Sequence, residues 1–558
     1  MTRRKKIVYT LTGAVCLLVI YLGYSIIVFP PEVADKSATA LQVIKVDSTF
    51  YKVGDSWLKK NEYGVWEMYV QGNAFERGVK AGKLTKELSE FQETAFIGQL
   101  KKMIPSKIAL NLMRFVVAWY NRNLEANVTN EYQQEIYGIS LSASDKFDYV
   151  GPKYQRILYY HAAHDIGHAM QDRNMVVGCT SFAVNNQKSA DGKLLIGRNF
   201  DFYVGDDFAK NKIVEFVNPT EGVKFMMVTW AGMIGAVSGM NEKGITVTIN
   251  ASKAAIPSRA ATPISLLARE ILQYATNIND AKQIAQKRKT FVAESLLIGS
   301  AADHKAVIIE KAPDKMDVYE TNEPEIICPN HFQGSAFTAD DINMNNIKES
   351  TSLYRFKRMK QLIDRDTAIN YMKAAEILRD QKGMDDKDIG FANEKSINQL
   401  MAHHSIIFKP EDELVWVSTA PFQLGKFICY DLNKVFRQYN TLSSNTAINE
   451  DALTIPADTF LQTPVYLDYL AYMKEKEIIQ KGIKSNVSIA PQELSDFVHY
   501  NPEYYFTYEL VGDYYKSKHA EDSAAVYYSK VLDKEIATLD ERNQISKNLA
   551  AILNVKKQ

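Results

Sequence analysis

The period of apolar and polar positions changes along the chain. Trp66 to Gly78 reads as a strand, a turn at Gly72-Asn73 and the start of a helix. From there to about residue 175, long mixed stretches such as Ile108 to Trp119, with few turn signals, predict mostly helix. The pattern then shortens. Cys179 opens an apolar run, the turn pair Asp191-Gly192 follows, and Leu194 to Asp201 makes a second run, so the segment reads as a β-hairpin. Val214 to Val217, Lys224 to Trp230 and Gly244 to Asn250 predict further strands, the last alternating as Ile-Thr-Val-Thr-Ile-Asn. Pro263 to Gln286 carries apolar residues at helical spacing behind a proline suited to a helix start. Ser295 to Ile298 and Ala306 to Glu310 flank a turn at Ala302-Asp303-His304, and His404 to Phe408 with Glu413 to Thr419 finish the sheet, so that the domain closes near residue 435. Strands mixed with helices in this order place the chain in the α+β class. In the tail, Tyr508, Val511, Gly512, Tyr515, Ala524, Tyr528 and Val531 fall on the pattern of one tetratricopeptide-like helical hairpin. A single copy cannot bury its own face, so it either packs on the rest of the chain or docks a protein partner.

Length changes this picture little, since 558 residues call for two to four domains. A formal net charge of zero gives no support for a nucleic-acid partner. The N-terminus adds more. Arg3-Arg4-Lys5-Lys6 precedes an uncharged run from Ile7 to Phe29, closed by Pro30-Pro31, which is long enough to span the ~30 Å hydrocarbon core. With the basic cluster held inside, residues 1–30 are expected to be a membrane anchor and the body to be extracytoplasmic, on a periplasmic or outer face. A cleaved signal peptide is the rival, but no small-x-small site follows the run. Only four cysteines occur, Cys16, Cys179, Cys328 and Cys429, too few for a disulfide framework. Cys328 and Cys429 are most simply small buried apolar residues, with a disulfide between them as the alternative.

Chemistry concentrates at Gly178-Cys179. If the chain is cut there, one residue carries both a thiol and a free α-amine, a nucleophile with its own base titrating near ~8. Glycine before the cut suits a strained geometry in which the thiol reaches its carbonyl. His161, His164 and His168 offer a second candidate, because the i, i+4 pair has the spacing of a zinc helix with Asp165 in place of glutamate. No third ligand can be named, and histidines packed on a helix leading to the cut are the expected reading.

Cys179-Thr180-Ser181-Phe182, Gly197-Arg198-Asn199-Phe200-Asp201, Gly239 to Gly244 (Gly-Met-Asn-Glu-Lys-Gly), Asn330-His331 and Ser352-x-x-Arg355-x-x-Arg358 occur in one order along the chain. Together they resemble the N-terminal-nucleophile hydrolases of the choloylglycine hydrolase and acyl-CoA:6-aminopenicillanic acid acyltransferase group. The similarity is greater to the acyltransferase branch, peptidase family C45, because the cysteine lies deep in the chain behind a long pro-region. Gly72-x-x-Phe75-Glu76-x-Gly78 with Gly82 also resembles the start of that pro-region. The resemblance implies a four-layer αββα sandwich over residues 179–435, a mostly helical pro-region over 31–178 and a helical tail over 436–558. It implies that Arg198 and Asp201 orient and tune Cys179, that Asn250 is an oxyanion donor, that Asn330 is the family's second asparagine and that Arg355 completes the network. Read alone, these residues are equally a strand-end ion pair, a strand cap and loop hydrogen bonds. Asn241 is expected to be a turn residue.

The function that follows is self-cleavage at Gly178-Cys179, then hydrolysis or transfer of an acyl group from a small amide or thioester through a Cys179 acyl-enzyme, with no cofactor or metal. A non-catalytic anchored envelope scaffold, binding a partner through its tail, is the alternative.

Overall fold

The computed structural model describes residues 9, 12, 17, 21, 23–170, 178–202, 205, 207–255, 260–401 and 403–555. Seventeen strands are present among them: β1 (Val43–Lys45), β2 (Phe50–Val53), β3 (Ser56–Lys60), β4 (Trp66–Gly72), β5 (Thr180–Asn186), β6 (Gly192–Phe200), β7 (Ile213–Pro219), β8 (Phe225–Thr229), β9 (Ser238–Asn241), β10 (Ile245–Ala251), β11 (Glu294–Ser300), β12 (Lys305–Lys311), β13 (Met316–Tyr319), β14 (Glu325–Cys328), β15 (His404–Lys409), β16 (Leu414–Ser418) and β17 (Phe427–Asp431). They make two sheets, ordered β1-β2-β3-β4-β7-β8-β9-β10-β11-β12-β13 and β14-β5-β6-β15-β16-β17. Every neighbouring pair is antiparallel except β4 and β7, which run parallel from Trp66 opposite Ile213 to Gly72 opposite Pro219.

Alternation along the strands explains the layers. In β6, Leu194 and Ile196 enter a core shared with Val214, Phe216, Met226 and Leu297 of the large sheet, while Leu195 joins the core on the opposite face. That opposite face is covered by helices Ser352–Arg365 and Tyr371–Leu378. The large sheet turns Ile213, Val217, Met227, Val247 and Ile298 outward, under helices Ala74–Leu84, Asn130–Ser140, Lys153–Met170 and Ile264–Tyr274. Helix, sheet, sheet and helix are therefore stacked in four layers, as the sequence led us to expect.

The segment before Cys179 is more than a helical layer. Its four strands β1 to β4 extend the large sheet, and the β4–β7 pairing joins it to the segment after Cys179. Asn73 then starts the first helix, accepting from the Glu76 amide at 3.0 Å while Glu76 reaches back to the Asn73 amide at 3.4 Å. A buried ionic cluster adds a second tie. Glu135 accepts from Arg77 at 2.6 Å and from Arg269 at 3.2 Å, so residues on both sides of Cys179 share one carboxylate. Burial opposes its ionisation, but the two guanidiniums outweigh burial and hold its pKa below the ordinary carboxylate value. Glu135→Gln would leave two buried cations sharing less negative charge, and we expect a loss of about 3 kcal/mol in urea unfolding. An unchanged midpoint would show that the cluster is stabilised from elsewhere.

The tail forms the expected hairpin from helices Tyr505–Ser517 and Glu521–Leu532. It docks on the segment around residues 387–395: Asn501 exchanges hydrogen bonds with Phe391 at 3.0 Å, and Asn393 donates to the Glu535 carbonyl at 3.0 Å. Cys328 and Cys429 are both buried and free, so no disulfide joins them. Among the described residues no helix is long and apolar enough to cross a membrane. Most of the expected anchor, residues 7–29, lies outside the described residues.

Candidate functional site

Five elements deliver the six residues singled out from the sequence to one place. Cys179 stands immediately before β5, and the β5–β6 register sets Ser181 opposite Arg198, so the hairpin carries Arg198 to the cysteine and Asp201 just past the strand end. Asn250 comes from β10 in the facing sheet. Asn330 follows β14, which pairs with β5, and Arg355 lies in the first turn of helix Ser352–Arg365.

The thiol is enclosed, with Cys179 only 1% exposed. Its Sγ accepts from Arg198 Nη2 at 3.7 Å and points at the Asp201 carbonyl at 4.0 Å. Arg198 also donates to Ser238 Oγ at 2.6 Å and to the Ile249 carbonyl, so it is fixed by the facing sheet. Burial pushes the thiol up to about 11; Arg198 opposes the rise, and the Asp201 and Glu294 carboxylates add to it. Burial likewise pushes Asp201 up to about 7 against the attraction of Arg355 and Arg198. Neither carboxylate oxygen of Asp201 accepts a hydrogen bond among the described residues.

Arg355 holds the Gly178–Cys179 peptide. Its Nη1 donates to the Gly178 carbonyl at 2.8 Å, the Cys179 carbonyl at 3.0 Å and Thr180 Oγ1 at 2.6 Å, while Nη2 donates to Asn330 Oδ1 at 2.8 Å. Asn330 is itself pinned, its Nδ2 donating to the Ala251 carbonyl at 2.8 Å. Asn250 donates to the Cys328 carbonyl at 2.7 Å and accepts from Ser181 Oγ at 3.2 Å, and neither bond goes to the Gly178 carbonyl. Asn241 is the turn residue expected, accepting from the Lys243 and Ile245 amides.

Three participants escaped the sequence reading. Ser238 bridges Arg198 to His404 Nε2 at 2.9 Å. Glu294, opposite Ala251 in the β10–β11 register, adds a buried carboxylate close enough to act on the thiol. Gln399 donates from Nε2 to the Gly178 carbonyl at 3.1 Å. None belongs to a recognisable motif, and Gln399 is 221 residues from its partner. The histidine candidate resolves differently. His161 Nδ1 meets the Ile157 carbonyl at 2.9 Å and its Nε2 accepts from the Ile234 amide at 2.9 Å, so both ring nitrogens serve packing. Burial lowers its pKa to about 4, which keeps the ring neutral. The side chains of His164 and His168 lie outside the described residues, and no metal-binding cluster occurs among those described.

A family model described as acyl-coenzyme A:6-aminopenicillanic acid acyl-transferase matches residues 186–421, which include Arg198, Asp201, Asn250, Asn330 and Arg355 but begin after Cys179. Protein dcd1B of Dictyostelium discoideum is 25% identical over 294 residues, 49% of this chain and 55% of that protein. An uncharacterized protein of Archaeoglobus fulgidus is 24% identical over 279 residues, 46% of this chain and 45% of its own. The chain thus spans about half the length of these curated relatives. Among solved structures, a Caenorhabditis elegans N-acylethanolamine-hydrolyzing acid amidase ortholog is 16% identical with a TM-score of 0.30, covering 42% of this chain and 93% of that one. A mutant conjugated bile acid hydrolase from Clostridium perfringens is 13% identical with a TM-score of 0.32, covering 49% and 99%. Both similarities are distant.

Proposed function

We propose that this chain, a member over residues 186–421 of the acyl-coenzyme A:6-aminopenicillanic acid acyl-transferase family and hence an N-terminal-nucleophile amide hydrolase or acyltransferase, cuts its own Gly178–Cys179 bond and then works through a Cys179 acyl-enzyme. The observation that carries this reading is the scissile carbonyl, which accepts from Arg355 at 2.8 Å one residue before a thiol already held by Arg198. In the first stage the Cys179 thiol adds to the Gly178 carbonyl carbon, and the C–N bond then breaks as the thiol proton passes to the leaving amine. Asp201, in the electrostatic reach of the thiol and both arginines, orients that transfer. Water next hydrolyses the thioester, releasing a Gly178 carboxyl and a Cys179 with free amine and thiol.

In the second stage the amine, titrating near ~8, takes the thiol proton as Sγ attacks a small amide or thioester. Asn250, whose Nδ2 carries a second hydrogen beside the one given to the Cys328 carbonyl, supplies an amide donor to the oxyanion. The acyl group then passes to water or to an amine. The cut chain stays assembled, because the β4–β7 pairing and the Arg77-Glu135-Arg269 cluster cross the cut. An anchor over residues 7–29 would keep the pair at a membrane, with the catalytic body on its extracytoplasmic face.

Intact mass and N-terminal sequencing of the purified full chain test this directly. Two chains are expected, the second starting at Cys179. A chain that stays whole overturns the mechanism and leaves the scaffold reading, in which the docked tail presents a surface to a partner.

A further inference from the structure

We propose that Gln399 is a catalytic residue of the self-cleavage step, its Nε2 donating to the Gly178 carbonyl oxygen as that oxygen becomes an oxyanion, with Arg355 as the second donor. This rests on the self-processing reading. When Sγ adds to the Gly178 carbon, the C–S bond forms and the C=O π pair moves onto the oxygen. The oxygen then needs preset donors in a buried site. Two are in place before the reaction begins: Arg355 Nη1 at 2.8 Å and Gln399 Nε2 at 3.1 Å. Asn250, the oxyanion donor of the second stage, donates to Cys328 instead. The two reactions therefore use different donors around one nucleophile.

Gln399 is built to stay where it is. It is 1% exposed, and its chain neighbours are tied down: the Asn398 amide donates to the Asp380 carbonyl at 2.8 Å, Asn398 Oδ1 accepts from the Leu400 amide at 2.9 Å, and Ser396 Oγ donates to the Asn398 carbonyl at 2.9 Å. The acceptor at Gly178 also fixes which end of the amide faces it, since only the NH2 end can donate to a carbonyl. Fit is equally tight on the other side. A Cβ added at Gly178 would stand 2.2 Å from Gln399 Nε2, so glycine is the residue that lets this donor reach the scissile carbonyl.

The test is a pulse-labelled time course of cleavage in the full chain, read as conversion of one chain to two. Gln399→Ala and the near-isosteric Gln399→Met are expected to slow conversion by about 10²- to 10³-fold, the size of one lost oxyanion donor. Thermal midpoints of the uncut variants, compared with uncut Cys179→Ala, identify a variant that has simply failed to fold, in which case the methionine form carries the test. Gly178→Ala should slow the native chain but add little in the Gln399→Ala background, because the residue it displaces is already gone. If the native chain cleaves and both Gln399 variants cleave at its rate, or if Gly178→Ala is equally costly in both backgrounds, Gln399 has no such role and self-processing stands without it. If the native chain does not cleave, self-processing itself fails first.

Discussion

Cys179→Ala is expected to yield one chain of 558 residues where the native protein is expected to yield two, with no second chain appearing on prolonged incubation. The other thiol near the site does not replace the lost nucleophile. Cys328 is the nearest thiol by strand register, opposite Ser181 on β14, but burial raises its pKa further than that of Cys179, and its Sγ lies against its own segment's Pro329 carbonyl. Arg198 would keep its bonds to Ser238 and the Ile249 carbonyl, so the variant should fold and hold the site open to inspection. Cys179→Ser keeps a hydroxyl in the same place. A hydroxyl is a poorer nucleophile than a thiol and gains less from Arg198, so slow conversion, at least about 100-fold below native, is expected. Intact mass over a time course separates the three forms. If the alanine variant gives the same two chains at the native rate, an outside protease makes the cut and the thiol is not the agent.

The sequence announced the site better than it announced the sheets. The hairpin around the well-marked Asp191-Gly192 turn was legible, and β5 and β6 form it; Arg198 and Asp201 were singled out by family resemblance, and the hairpin places them beside Cys179. The strands read as alternating or apolar runs, β7, β8, β10, β11, β12, β15 and β16, are likewise present. Those missed are short, edge-like or broken by charge. β1 is exposed along its length and β13 half-buried, so neither alternates. β3 carries Lys59, which reads as a surface residue yet is buried against Glu67 at 2.7 Å. β14 and β17 run only four and five residues. Gln399 could not have been read at all, since its role depends on a loop brought back across the whole domain. Asn250 shows the converse limit. Its place beside the site follows from strand β10, but its donor to Cys328 depends on the packing of the two sheets.

Asp201→Asn, measured in the Cys179→Ala background so that every sample is a single chain, is expected to raise stability at pH 8 and to lose that advantage on acidification. The carboxyl is fully buried, with both oxygens free of hydrogen bonds among the described residues. Burial raises its pKa from 3.8 to about 7 even though Arg355 and Arg198 pull the other way. A folded-state value above the unfolded one means that the native chain holds the proton more tightly. The carboxyl therefore favours folding fully below about pH 4, and the benefit is lost as pH rises through about 7. Asparagine resembles the protonated form at every pH. The gap between variant and parent should thus be near zero at pH 4, grow between pH 4 and 7, and level off above, at ~4 kcal/mol for a rise of this size. Urea unfolding at pH 4, 6 and 8 reads it out. A gap that is absent at pH 8, or that widens toward acid, would mean that the two arginines hold Asp201 ionised. Asp201 would then be a permanent counterion to Arg198 and Arg355, and its burial would impose no cost that the fold must offset. Should the gap appear as expected, the native residue is retained against stability, as a group required by the chemistry at Cys179 would be.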